Sequence, residues 1–165
     1  MPQTNYPDRK DFLLLQLEDI DAIFPKGRMR SYYPLFHINR IEDFRSHIPN
    51  QQLPYRKTVT EFMVVTQGST VRAKGIDQHD VVANSFFFIP AYQIRTATSI
   101  SDDIRGFFCD SDTDIFKKCF LQNDVLNEFP FLQYIDNPFI RVPGEAMPRI
   151  LHISTGSVTV TIELK

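Results

Sequence analysis

Glu61-Phe62-Met63-Val64-Val65-Thr66-Gln67-Gly68-Ser69-Thr70-Val71-Arg72-Ala73-Lys74-Gly75 is the stretch on which the fold turns. Its first seven residues are rich in β-formers and stop at Gly68. The next six alternate, Val71 and Ala73 against Arg72 and Lys74, before Gly75 ends them. Two strands with a single glycine between them leave no space for a helix. The same rhythm runs outward, to Phe36–Arg40 on one side and to Val81-Val82, Ser85–Ile89 before Pro90, Gln93–Thr98 and Asp103–Cys109 on the other. Strands this close, separated by Gly, Pro, Asn and Asp, predict an antiparallel sandwich or barrel. A parallel α/β fold needs crossovers of about a dozen or more residues, and none fits.

The flanks differ. In residues 1–34, Leu13, Leu14, Leu15 and Leu17 make an apolar run, and Glu18–Phe24 predicts one or two helical turns before Pro25 and Gly27. After Asp110 the period turns helical. Ser111-Asp112-Thr113-Asp114 has capping-box spacing, and Ile115, Phe116, Cys119 and Phe120 share a face that Lys117 and Lys118 avoid. Residues 123–129 predict another turn or two, and Pro130, Pro138, Pro143 and Pro148 break the chain beyond them. Ser154–Lys165 reads as a strand or ordered tail. The expected organisation is an arm over 1–34, a β-barrel over 35–110, and a short helical C-terminal segment with a strand-like tail over 111–165. All three belong to one structural domain.

With 165 residues, 42% apolar and 23% charged, the composition is that of a soluble globular domain. No apolar run approaches the ~20 residues of a membrane helix, and Met1–Pro7 is too polar for a signal peptide. Eighteen basic residues against 20 acidic give a net charge of −2, without the basic excess common in nucleic-acid binders. Two cysteines, Cys109 and Cys119, make no disulfide framework and fit a reducing cytoplasm. Fifteen Phe and no Trp suggest a tightly filled or pocketed interior.

Most catalytic signatures are missing from the sequence. Its six glycines nowhere take phosphate-loop spacing, and HExxH, GxSxG and zinc-type Cys/His spacings do not occur. Asp110-Ser111-Asp112-Thr113-Asp114 opens like a calcium loop, but Ile115 and Leu121 stand where an EF-hand needs Gly and Glu. Helix capping is the simpler reading. His37, His47, His79 and His152 are scattered, with His79 in an expected turn, and no metal is expected.

Taken in series, these segments resemble a known family. Pro54-Tyr55-Arg56-Lys57-Thr58-Val59-Thr60 running into Glu61–Gly68 resembles the opening of the small cupin barrel at the N-terminus of AraC-family transcription regulators. Asn84-Ser85-Phe86-Phe87-Phe88-Ile89-Pro90-Ala91-Tyr92-Gln93 resembles its apolar strand and proline turn. Asp103–Cys109 is similar to its last strand, and Thr113–Leu121 to the helix after it. The resemblance covers roughly residues 35–150. Cupin enzymes hold a metal through H-x-H-x3-E-x6-G and P-x-G-x2-H. Here Glu61, Gly68 and Pro90 keep their places, but Tyr55, Lys57 and Arg95 replace the histidines and Tyr92 replaces the glycine.

The resemblance therefore implies the metal-free regulatory branch, in which the barrel binds a small effector, often a sugar, or serves for dimerisation. It implies a cytoplasmic homodimer with no catalytic activity and no cofactor. DNA is reached only through another domain, because residues 111–165 hold five basic and seven acidic residues and four prolines, with no space for two helix-turn-helix units. Strand alternation turns Glu61, Met63 and Val65 inward and Phe62, Val64 and Thr66 outward. A buried Glu61 needs a partner, and Lys57, Arg72, Arg95, Arg105 or a polar ligand are candidates. The expected site is a pocket for a small polar molecule edged by Tyr55, Lys57, Glu61, Tyr92, Gln93 and Arg95.

Two other readings stay open. The first is a pure dimerisation module, and a barrel packed solid with Phe and Met would leave the motif positions as ordinary rim residues with no pocket. A metal-free cupin isomerase or epimerase would use Tyr55 and Lys57 as acid and base, which requires their pKa values to move toward neutrality.

Overall fold

The computed structural model describes residues 13–15, 36–112, 138–152 and 154. Ten strands among the described residues form two five-stranded sheets, a mainly β fold with few short helices. One sheet runs in the order β1 (Leu13–Leu15), β3 (Gln52–Lys57), β8 (Arg95–Ile100), β5 (Ser69–Lys74) and β6 (Asp77–Val82). The other runs β10 (Phe139–Arg141), β7 (Ser85–Ile89), β4 (Thr60–Gln67), β9 (Arg105–Ser111) and β2 (Phe36–Arg40). Every pairing is antiparallel except β1 on β3. A four-residue helix α1 (Ile41–Phe44) and a 3-10 turn (Arg45–His47) come after β2, and residues 147–152 are helical. No helix among the described residues is long and apolar enough to cross a membrane.

The core lies between the sheets. Met63 and Val65 on β4, Phe87 and Ile89 on β7, Phe108 on β9 and Ala97 on β8 pack with Ile41, Phe44 and Ile104. Each large side chain buried this way contributes about 1.5–3 kcal/mol. Phe44 meets Phe108 edge-on, with ring centroids 5.8 Å apart. On β4 the alternation is as expected, with Glu61, Met63 and Val65 turned toward the other sheet. Phe62 turns away and packs on Phe88, centroids 4.9 Å apart. That outer face is buried as well. Val64, Phe88, Phe107 and Cys109 are all under 7% exposed, which is why these strands read as unbroken apolar runs.

Several boundaries depart from the sequence expectation. Asp77–Asp80 is not a turn: Lys74 pairs with Asp77 and Arg72 with His79, so the turn is Gly75-Ile76. β6 lies at a sheet edge, where solvent takes up polar side chains. Leu13–Leu15, from the expected arm, and Phe139–Arg141, from the expected helical segment, each add a strand to a sheet. β9 runs on to Ser111 and takes Asp110 with it. The helical turns expected over Glu18–Phe24, Thr113–Leu121 and 123–129, and the tail beyond Ser154, lie outside the described residues.

Gly106 is one position where only glycine serves. It sits at a bulge in the β4–β9 ladder with φ at 144°, and a Cβ there would run into the carbonyl oxygen of Val64.

Candidate functional site

The two sheets face each other with opposite charge. β3, β8 and β5 present Lys57, Arg95 and Arg72, while β4 and β9 present Glu61 and Asp110, which are directly paired across the two strands. Arg95 and Asp110 are fully buried, and Lys57, Glu61 and Arg72 are 4–6% exposed. The Lys57 ammonium donates to Glu61 Oε2 at 2.6 Å and to both Asp110 oxygens at 2.7 and 3.0 Å. Arg72 Nη2 donates to Glu61 Oε1. Arg95 Nη1 reaches Glu61 Oε2 at 3.4 Å, and its Nη2 donates to the Pro90 carbonyl at 2.9 Å.

These contacts set the protonation states. Burial alone would raise the pKa of Glu61, but Lys57, Arg72 and Arg95 together hold it well below the usual carboxylate range. Burial pulls Lys57 down, and Asp110 and Glu61 more than reverse that, so it stays an ammonium. Burial pushes Asp110 up. Lys57 opposes the rise and the Glu61 charge adds to it, leaving Asp110 above its ordinary value. Among the described residues, three cations meet two carboxylates in this group. Two buried donors in it, Arg72 Nε and Arg95 Nε, have no acceptor among the described residues.

Beside the charges lies a cavity of about 60 Å³. Its polar wall is Gln52, Tyr55, Lys57, Glu61, Thr70 and Arg72; its apolar wall is Ile41, Ile48, Met63, Ile100, Ile104 and Phe108. Arg45, outside the lining, braces the apolar wall. It donates to the carbonyls of Ile48, Ile100 and Ser101 at 2.9–3.0 Å and pairs with Asp102 at 2.7 Å, tying the segment after α1 to the β8–β9 turn.

Of the residues expected at the site, Tyr55, Lys57 and Glu61 line this cavity. Arg95 stands behind Glu61, outside the lining. Tyr92 is 54% exposed and its N–H donates to the Lys57 carbonyl, while Gln93 next to it is half-buried. Neither faces the cavity. Tyr92 holds φ at 64°, in the left-handed region that favours glycine, at the position where the cupin pattern has a glycine. Arg105, weighed as a partner for Glu61, is exposed at the start of β9.

Sequence reasoning missed Asp110 as a site residue, taking it with the acidic turn after it. Carrying the alternation of β9 one pair beyond Phe108 would have turned it inward.

The donor set does not fit the divalent metal of cupin enzymes. A lysine ammonium occupies the space between the two carboxylates, and no three His, Cys, Asp or Glu side chains converge among the described residues. Cys109 lies on the outer face, and burial raises its pKa, which keeps it a thiol.

No family model and no curated protein matches the chain. Solved structures do match. The cupin domain of Cnp3 from Schizosaccharomyces pombe is 12% identical over 58% of this chain and 69% of that one, with a TM-score of 0.41. ToxT from Vibrio cholerae O395, an AraC-family regulator solved with (E)-4-(8-methylnaphthalen-1-yl)but-3-enoic acid, is 12% identical over 74% of this chain and 48% of that one, TM-score 0.46. Bacillus subtilis oxalate decarboxylase, which has Mn(II) centres, is 10% identical over 66% of this chain and 38% of that one, TM-score 0.35. These similar structures include cupin proteins, a regulator and an enzyme, and the fold of this chain is mainly antiparallel β with two sheets and few short helices.

Proposed function

We propose that this chain is the effector-sensing and dimerising domain of an AraC-type transcription regulator, and that the cavity between its sheets holds the effector. The observation that carries this reading is the cavity itself, with one apolar wall and one polar wall of buried charge that is incompletely satisfied among the described residues. Such a chamber has what small-molecule recognition needs: apolar walls and a few fixed polar groups. It has less of what acid–base chemistry needs. General catalysis at neutral pH works best with groups that titrate near neutrality, whereas Lys57 is held as an ammonium and Glu61 as a carboxylate. At about 60 Å³ the cavity is well under the roughly 150 Å³ that takes a benzene-sized ligand, which favours an effector smaller than a sugar.

Isothermal titration against a panel of sugars and small metabolites tests the reading, alongside sizing of the protein with and without each compound. Saturable binding that weakens in Glu61→Ala supports it. A dimer that binds nothing on the panel would leave a dimerisation module instead.

A further inference from the structure

We propose that residues 45–51 are a lid on the cavity, with Ile48 as its plug and Arg45 as its latch. Such a lid governs access and is independent of what the cavity holds.

Exposure locates the mouth. Of the described residues that line the cavity, all are buried except Ile48, Gln52 and Tyr55. These three lie on one stretch of chain, so the cavity meets solvent there. The two sides of that mouth are built differently. Gln52 and Tyr55 belong to β3 and pair with Ala97 and Arg95 of β8, across a slip in the register. The Gln52 carbonyl also accepts from the Thr96 hydroxyl. Ile48 has no such frame. It lies in the segment between Phe44, only 1% exposed in the core, and the start of β3.

That segment is held lightly. Ser46, His47, Pro49, Asn50 and Gln51 are exposed, and Arg45 and Ile48 are half-buried. Ile48 packs against the core, and its N–H bonds back to the Arg45 carbonyl at 3.3 Å, inside the segment. Among the described residues, every side-chain hydrogen bond from the segment to the barrel comes from Arg45. Its guanidinium donates to Ile48 and Asn50 on the lid side, and to the Ile100 and Ser101 carbonyls and the Asp102 carboxylate on the barrel side. Asp102 is 96% exposed, so water competes for that last bond. A segment with one apolar contact and one polar anchor opens at a fraction of the free energy of global unfolding. Opening lifts Ile48 from the mouth and leaves β3 in its sheet.

Thiol labelling of the full chain tests this without any ligand. Thr70→Cys puts a thiol in the cavity wall, and peptide mass spectrometry follows its reaction with iodoacetamide separately from Cys109 and Cys119. The expected rate is well below that of Thr98→Cys, which is exposed. Adding Arg45→Ala is expected to speed labelling of the Thr70→Cys thiol about tenfold or more, the worth of two or three lost hydrogen bonds in the opening equilibrium. Ile48→Ala, which removes the plug and keeps the latch, is expected to act in the same direction and serves alone if the Arg45 variant does not fold. Ala97→Cys, fully buried in the core and outside the cavity lining, is expected to stay slow in both backgrounds. Labelling of Thr70→Cys as fast as Thr98→Cys, or unchanged by either variant, overturns the proposal. An equal gain at Ala97→Cys also overturns it, because the barrel as a whole has then loosened. Each of these failures leaves the sensor reading standing.

Discussion

Replacing Lys57 with Met separates two views of the buried charges. By net charge, the change improves matters, since three cations against two carboxylates become two against two. By geometry, it is harmful. Lys57 is the only cation hydrogen-bonded to Asp110 among the described residues, and Glu61 keeps Arg72 and Arg95. Without the ammonium, a fully buried Asp110 faces Glu61 directly across the β4–β9 ladder. Breaking a buried pair from one side costs about 3–5 kcal/mol, a large part of the roughly 5–15 kcal/mol that holds a domain together.

The loss has a pH signature. The folded-state pKa of Asp110 already lies above its ordinary value and would rise further. A group whose folded pKa is raised stabilises the fold below its unfolded pKa, and that contribution disappears as pH climbs through the folded one. Urea denaturation of Lys57→Met should therefore show the deficit in full near about pH 8 and a smaller one near about pH 5. Lys57→Met/Asp110→Leu should recover most of it, because the orphaned charge is gone. A deficit under about 1 kcal/mol, or a double variant no better than the single, would refute the geometric argument.

Three other variants probe the rest of the site and its frame. Glu61→Gln removes the acid limb of the stability curve. Wild-type stability falls as pH drops below the usual carboxylate range, because the depressed Glu61 must be protonated, and the variant should be flat there in acid denaturation at a cost of about 3 kcal/mol at neutral pH. Arg45→Ala loses the bonds that tie Ile48 to the β8–β9 turn, and hydrogen exchange should quicken in residues 41–50 and 100–104 while β4 stays protected. Gly106→Ala meets both a positive φ and the Val64 carbonyl, and thermal melting should report a loss of about 2–4 kcal/mol; a loss under about 1 kcal/mol would show that the bulge relaxes freely.

Ser69–Lys74 and Ser85–Ile89, closed by Gly75 and Pro90, were legible to the residue, and Phe36–Arg40 also has the bounds its sequence suggests. Their side-chain period and stop signals are local, so nothing distant is needed to find them. β1 and β10 are three residues each and exist only as partners of β3 and β7, so local pattern does not mark them. The inward turn of Glu61 was readable from alternation, and with it the need for cations. Which cations answer it depends on how the two sheets face each other: Lys57, Arg72 and Arg95 reach Glu61, and Arg105 does not. Tyr92 and Gln93 were placed at the pocket by motif spacing alone. The backbone at Tyr92 is left-handed, as a glycine's can be, but a motif position does not fix where a larger side chain points.

The division of charge also bears on why the cluster is there at all. Because the cations rise from one sheet and the carboxylates from the other, each ion pair is a crosslink between sheets. The apolar contacts of the core, such as those of Met63, Val65 and Ala97, are non-directional and tolerate a small slide. An ammonium held by three oxygens within 3.0 Å does not, since its bonds weaken steeply with misalignment. As a device for stability alone the arrangement is poor, because well-packed apolar side chains in the same volume often do as well or better. A purely structural staple would also be expected to satisfy itself. Among the described residues, one carboxylate takes bonds from three cations while the other has one, and two guanidinium N–H groups are left over, one of them on a residue in a cavity wall. Incomplete satisfaction beside a cavity is what a site looks like when the remaining partner is a small molecule.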